Sequence, residues 1–298
     1  MALSKVSLKD MAYLGWALGP VLGFLAAIFL GPFIYMIWLS VTDLSFALVG
    51  RDGNFIGLSN YVRAMFEDEI FLGSLGRSFV FAFYCVSPQV VIGVIVAETL
   101  YKNRAMQRFL APLFVLPALL PSVVIGLYWR IMLQGDFGLI SHYFFKWGFS
   151  SAQAILSTPE TILFTLAAID IWQWGPFVAL VFLAKRGSLP RAPLEAALVD
   201  GASRIRAFVD VTLPALLPTV FVVALIRAID SFKEFDKVFI MTGGGPGNAS
   251  ELSSIYIWRM AFKHFEFGYA AALCVLVYII IYGSSRFLLA KSRSRSAP

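Results

Sequence analysis

Six apolar runs dominate this sequence, at about residues 13–41, 78–99, 109–133, 161–184, 213–232 and 268–290. Each reaches or passes the roughly 20 residues that a helix needs to cross a hydrocarbon core. Only helices and closed barrels satisfy every backbone group inside lipid, so the sequence predicts an all-α polytopic protein with six transmembrane helices. Composition agrees: 59% of the 298 residues are hydrophobic and 14% charged, and the mean hydropathy is +0.79. So few charges cannot coat a soluble surface of this size. Residues 1–298 therefore read as a single membrane domain.

Charge placement sets direction. Lys5 and Lys9, the cluster Lys102, Arg104 and Arg108, the cluster Lys185, Arg186, Arg191, Arg204 and Arg206, and the tail with Lys291, Arg293 and Arg295 all fall in one set of loops. The opposite loops are poorer in cations. The richer set faces the cytoplasm, which places both termini there. The first run is too long for the apolar core of a signal peptide and lacks a small-residue cleavage pattern, so it is expected to remain as a span. The net charge of +6 is dispersed among apolar runs and forms no stripe for a nucleic acid. Cys85 and Cys274 lie within runs and read as packing residues. His142 and His264 lack ligand-spaced companions, so no metal site is expected. No nucleophile-base arrangement stands out, which argues against an enzyme and leaves no catalytic residue to name.

One cytoplasmic loop, 187–212, is longer than a connection between packed helices requires. Pro193 suits a first helical turn, Glu195 sits near the positive end of the helix, and Ala196, Ala197 and Leu198 continue it. Asp200 and Gly201 end it, and Ser203 is placed to cap a second short segment. Two short helices with apolar residues that the loop cannot bury form either a docking surface or an interfacial helix on lipid.

Polar residues inside the fourth and fifth runs are costly in lipid and by default mark a pathway. Arg227, Asp230, Ser231 and Glu234 follow i, i+3, i+4, i+7 spacing and share one helical face. Asp170, Gln173, Trp174 and Phe177 repeat the pattern. Rings beside hydrogen-bonding groups suit a polyol. The plain alternative pairs Arg227 with Asp230, and Asp170 reads equally as an interhelical hydrogen-bonding residue. Arg227 and Lys233 would also accommodate an anionic solute such as a sugar acid, a sulfonated sugar or glycerol phosphate.

The string Glu195-Ala196-Ala197, Asp200-Gly201-Ala202-Ser203, Leu213-Pro214 resembles the EAA loop of permease subunits from binding-protein-dependent ABC importers. The stretch from Phe232 to Asp236, then Met241-Thr242-Gly243-Gly244-Gly245-Pro246-Gly247 and Phe267-Gly268-Tyr269-Ala270, together with Phe55-Ile56-Gly57-Leu58-Ser59-Asn60-Tyr61, is similar to the maltose-type carbohydrate branch. Arg191-Ala192-Pro193 departs from the usual pattern and touches the entry angle of the docking helix. The resemblance implies the transmembrane-domain fold of type I ABC importers in the bacterial inner membrane. It implies a heterodimer with a second permease subunit, two cytoplasmic ATPase subunits driving alternating access, and a soluble solute-binding protein delivering a sugar or sugar derivative. Glu195, Ala196, Ala197, Asp200 and Gly201 would couple to the ATPase, and Gln173, Trp174, Phe177, Ser231 and Glu234 would lie near the sugar. ATP and magnesium would belong to the partner, since no G-x-x-x-x-G-K-[ST] motif occurs here and no cofactor is expected in this chain. An ion-coupled secondary transporter is the rival reading, with a membrane enzyme third.

Overall fold

The computed structural model describes residues 8–47, 52–135, 138–147 and 156–295. The structure is helical, with one isolated β-bridge, Thr42 to Phe55, among the described residues. The sequence reads as one membrane domain; in the folded chain the packing groups residues into two compact units, 1–67 with 257–279, and 68–256 with 280–298.

The first unit contains α1 (Leu8–Ser40), a continuous helix that holds Pro20 and Pro32 within it. From Leu18 onward its apolar side chains point outward all round: Val21, Leu22, Phe24, Phe29 and Ile34 are exposed, and none of its most apolar window is buried by the rest of the chain. A helix apolar on every side is at ease only in lipid or against another chain. At its end Asn60 donates to the carbonyl of the last helical residue, Ser40, at 2.9 Å and to that of Thr42 just beyond it at 2.8 Å. The motif residue Gly268 lies against the Thr42 carbonyl, where any Cβ would collide. Arg63 pairs with Glu266 and stacks on the Tyr269 ring, 3.9 Å from its centroid.

In the second unit α2 (Glu69–Tyr101) and α6 (Pro159–Ser188) pack along one another and form the frame. Asp68 caps α2 by accepting from the Phe71 amide at 2.9 Å. Gly93 lets the two helices approach closely: a Cβ there would sit 3.1 Å from Val178 and 3.2 Å from Phe182. At the other end Arg186 donates to Glu98 at 2.8 Å and lies over Tyr101. Helix α8 (Leu213–Phe232) packs on α2, and α9 (Asp236–Thr242) follows after a three-residue turn.

The third apolar run is where the structure departs from the straight span expected over 109–133. It is two helices, α3 (Arg104–Leu119) and α4 (Ser122–Met132), bent by 93°. The cause is local. Pro121 cannot donate to the helix ladder and drives Leu120 out of the helical region, to φ −76°, ψ 133°. Among the described residues five helices are long and apolar enough to cross a membrane, and six spans result if the bent pair counts as one. A short α5 (Leu139–Lys146) follows, and α10 (Ser253–Phe262) and α11 (Phe267–Arg295) close the described chain.

The long loop carries α7 (Ala192–Val199), entered through Pro193. It stops in a Schellman turn: the Gly201 amide donates to the Leu198 carbonyl at 3.2 Å and the Ala202 amide to Ala197 at 3.0 Å. Gly201 holds φ at +84°, the left-handed value this turn requires. Ser203 then caps a single turn, Arg204–Ala207, by accepting from the Arg206 amide at 3.3 Å. A wide turn, Phe208–Thr212, leads into α8.

Candidate functional site

The polar residues of the fourth and fifth runs do meet, but they meet one another. Asp170, on the face of α6 toward α2 and α8, is fully buried. Its Oδ2 accepts from Arg227 Nη2 at 2.7 Å and from Gln89 Nε2 at 2.8 Å, and its Oδ1 accepts from Lys237 Nζ. Arg227 spends its Nε on Gln89 Oε1 at 3.0 Å and a long Nη2 contact on Ser231 at 3.5 Å. Lys237 completes its three donors on Asp170, on Gln173 Oε1 at 2.9 Å and on Glu234 Oε2 at 3.2 Å. Two cations thus face two carboxylates, with Gln89 and Gln173 filling the remaining hydrogen-bonding positions. Four elements, α2, α6, α8 and α9, are tied at this point.

Lys237 reaches this depth because α9 folds back onto α4, where Gly126 leaves room for the backbone: a Cβ on Gly126 would lie 3.2 Å from the Lys237 Cα. Gln173 has a second duty. Its Nε2 donates at 3.3 Å to the carbonyl of Leu120, the residue at which the third run bends. Burial works against the Lys237 ammonium, but Asp170 and Glu234 outweigh it and hold its pKa above the ordinary lysine value. Glu234 is the weaker carboxylate of the pair. Burial raises its pKa, the Asp170 charge adds to that rise, and Lys237 opposes it without cancelling it.

The remaining expected solute residues lie at the edge of this cluster. Trp174 is half-buried, with the Arg227 guanidinium 4.7 Å from its ring centroid, and meets Phe177 edge to face at 6.1 Å. Phe177 is exposed. Asp230, also partly exposed, pairs with Lys233 at 3.0 Å and more loosely with Arg227 at 3.7 Å. So Gln173, Arg227 and Ser231 are enclosed, Glu234 is largely so, and Trp174, Phe177 and Asp230 offer accessible surface. None of these seven lines the apolar cavity of about 400 Å³ that α2, α8 and α11 form around Phe79, Phe83, Phe221 and Phe232.

Two members of the cluster were not singled out from the sequence. Gln89, an amide inside an apolar run next to Pro88, carried a readable signal: a polar residue in lipid needs a partner. Lys237 reads as an outer-loop cation, and its burial depends on the turn at residues 233–235, which no spacing rule reports. On the loop side, Glu195, Ala196, Asp200 and Gly201 are exposed and Ala197 is half-buried on α7, while Val199 and Ile205 stand 86% and 78% exposed with no apolar cover from this chain. Among the described residues no group of three or more His, Cys, Asp or Glu side chains is arranged to hold a metal.

Comparison with known proteins gives this arrangement a family. Residues 89–295 match the model of the binding-protein-dependent transport system inner membrane component. The chain is 28% identical over 266 residues to the trehalose/maltose transport system permease protein MalF of Thermococcus litoralis, covering 88% of this chain and 87% of the relative. It is 29% identical over 263 residues to the sulfoquinovosyl glycerol transport system permease protein SmoG of Agrobacterium fabrum, covering 88% and 84%. Among solved structures, a chain of a bacterial alginate ABC transporter, in complex with an alginate pentasaccharide-bound periplasmic protein, superposes with a TM-score of 0.83 at 19% identity, covering 98% of this chain and 99% of that one. That likeness shows the fold. The chain belongs to the family of multi-pass inner-membrane permease components of binding-protein-dependent ABC transport systems.

Proposed function

We propose that this chain is one half of the translocation pathway of an ATP-driven importer for a sugar or sugar derivative, working by alternating access. The observation that carries this reading is α7. It is a short helix closed by a Schellman turn and displayed on a basic loop, and its exposed Val199 and the neighbouring Ile205 offer apolar surface that a partner subunit would cover. Glu195, Ala196, Ala197, Asp200 and Gly201 are the proposed contacts with an ATPase subunit, which would hold ATP and magnesium. Movement of that subunit would pass through the loop into α8, and through Arg227 into α2 and α6. A second permease subunit completes the pathway, a binding protein delivers the solute to the outer side, and both termini face the cytoplasm. The sugar class rests on the relatives named above for trehalose/maltose and for sulfoquinovosyl glycerol, and on the ring surfaces of Trp174 and Phe177 beside Asp230.

The test is reconstitution. Proteoliposomes holding this chain, the second permease, the ATPase and the binding protein should accumulate members of a radiolabelled sugar panel only with ATP on the ATPase side. Uptake by this chain alone under a proton or sodium gradient would overturn the reading.

A further inference from the structure

The two buried cations at the centre of the bundle raise the question of what charge the solute carries. A free arginine and lysine facing a pathway would form an anion site. Here most of their donors are engaged and both side chains are enclosed. Lys237 has placed all three N–H groups, on Asp170, Gln173 and Glu234. Arg227 has placed Nε on Gln89 and Nη2 on Asp170, and its Nη1 faces Asp230 at 3.7 Å. Both side chains are enclosed, at 6% and 3% exposure. Lys233, an exposed cation one turn from Asp230, is paired with it at 3.0 Å. A carboxylate, sulfonate or phosphate entering here would have to displace Asp170 or Glu234 from its partner.

What the accessible edge offers is different chemistry. The Trp174 ring is held by the Arg227 guanidinium on one side and by Phe177 at its edge. Beside it stands the Asp230 carboxylate, an acceptor for hydroxyl groups. We propose that the Asp170–Arg227–Lys237–Glu234 cluster is a closed, charge-neutral bolt between helices that offers no site to an anionic solute. This deepens the importer reading and rests on it for the word solute; the closed bolt stands on geometry alone.

The experiment probes the cations with inorganic sulfate. The assembled permease–ATPase complex, without binding protein, is melted in nanodiscs across 0 to 20 mM sodium sulfate at constant ionic strength, as wild type, Arg227→Gln, Lys237→Met and Asp170→Asn. Any shift common to all four reports sulfate on the ATPase. The closed bolt predicts no sulfate-dependent shift in wild type beyond that common part. It also predicts a lower melting temperature for Asp170→Asn that sulfate raises by several degrees, because that variant leaves two buried cations facing one carboxylate, Glu234. If Asp170→Asn does not assemble, Glu234→Gln replaces it, since it frees one Lys237 donor and leaves Asp170 in place. A wild-type shift that Arg227→Gln or Lys237→Met abolishes would show an open anion site and overturn the proposal. So would the absence of any sulfate response once a carboxylate is removed. Failure of the importer reading would appear instead as missing ATP-dependent uptake by wild type, which the melting experiment does not use.

Discussion

Gln173 donates its side-chain amide to the carbonyl of Leu120 at 3.3 Å, across 53 residues of sequence. Leu120 is the residue Pro121 forces out of the helix, so the bond supplies the partner that the bend removes. A helix break at membrane depth persists only where another group satisfies its freed backbone. The same amide accepts from Lys237. One side chain thereby links the bend of the third run to the ion cluster.

Gln173→Leu keeps the side-chain volume and removes both bonds. It should destabilise the complex by about 1–3 kcal/mol, the usual cost of leaving buried donors and acceptors unmade. Thermal melting of the purified complex is the check. An unchanged midpoint would mean that neither bond matters to the bend.

Asp170→Asn should be the most damaging single change in the cluster, about 3–5 kcal/mol, because it takes the close carboxylate from buried Arg227 and leaves Lys237 with Glu234 alone. Asp170→Asn combined with Arg227→Gln leaves the Lys237–Glu234 pair neutral and should recover a large part of that loss. Additive losses in the double variant, measured as complex recovered from membranes, would refute the pairing.

Gly201→Val forces a β-branched residue to φ +84° and should weaken the end of α7 by at least about 1 kcal/mol. Together with Glu195→Lys it should leave insertion intact and lower co-purifying ATPase about tenfold, which corresponds to about 1.4 kcal/mol of binding. Stoichiometric ATPase with both variants would remove α7 from the coupling role.

Gly93→Leu should block assembly of the second unit, because even a Cβ at that position presses on Val178 and Phe182. Gly93→Ala should cost about 1–3 kcal/mol as overpacking. Protease resistance of the membrane-inserted chain separates the two outcomes.

Glu234 titrates in the folded protein above its ordinary value of 4.5. The folded state therefore binds this proton more tightly than the unfolded chain, and the contribution of the group to stability falls as pH rises from 4.5 through the raised pKa. The melting difference between wild type and Glu234→Gln should shrink or turn negative over that window and then level off. A difference that grows with pH would reverse the assignment and make Lys237 the dominant influence on Glu234.

Much of the fold was legible because the forces that build it are local. Hydropathy runs locate the helices, since a span must satisfy its own backbone in lipid, and Pro193, Gly201 and Ser203 mark the entry, stop and restart of the loop through their own dihedral and hydrogen-bonding preferences. Even the bend had a local cause in Pro121, although the proline alone does not say whether a run kinks slightly or turns by 93°.

By itself the sequence determined where the apolar helices lie along the chain and where the exposed loop helix begins and stops, because each follows from residues within a few turns of one another. Only the tertiary structure decided what the intramembrane charges do. The spacing of Arg227, Asp230, Ser231 and Glu234 put them on one face but could not say what that face meets. It meets Gln89, Asp170 and Lys237, from three other elements. A buried charge is governed by partners within about 4 Å, and those partners are set by how helices pack, which no single helix records.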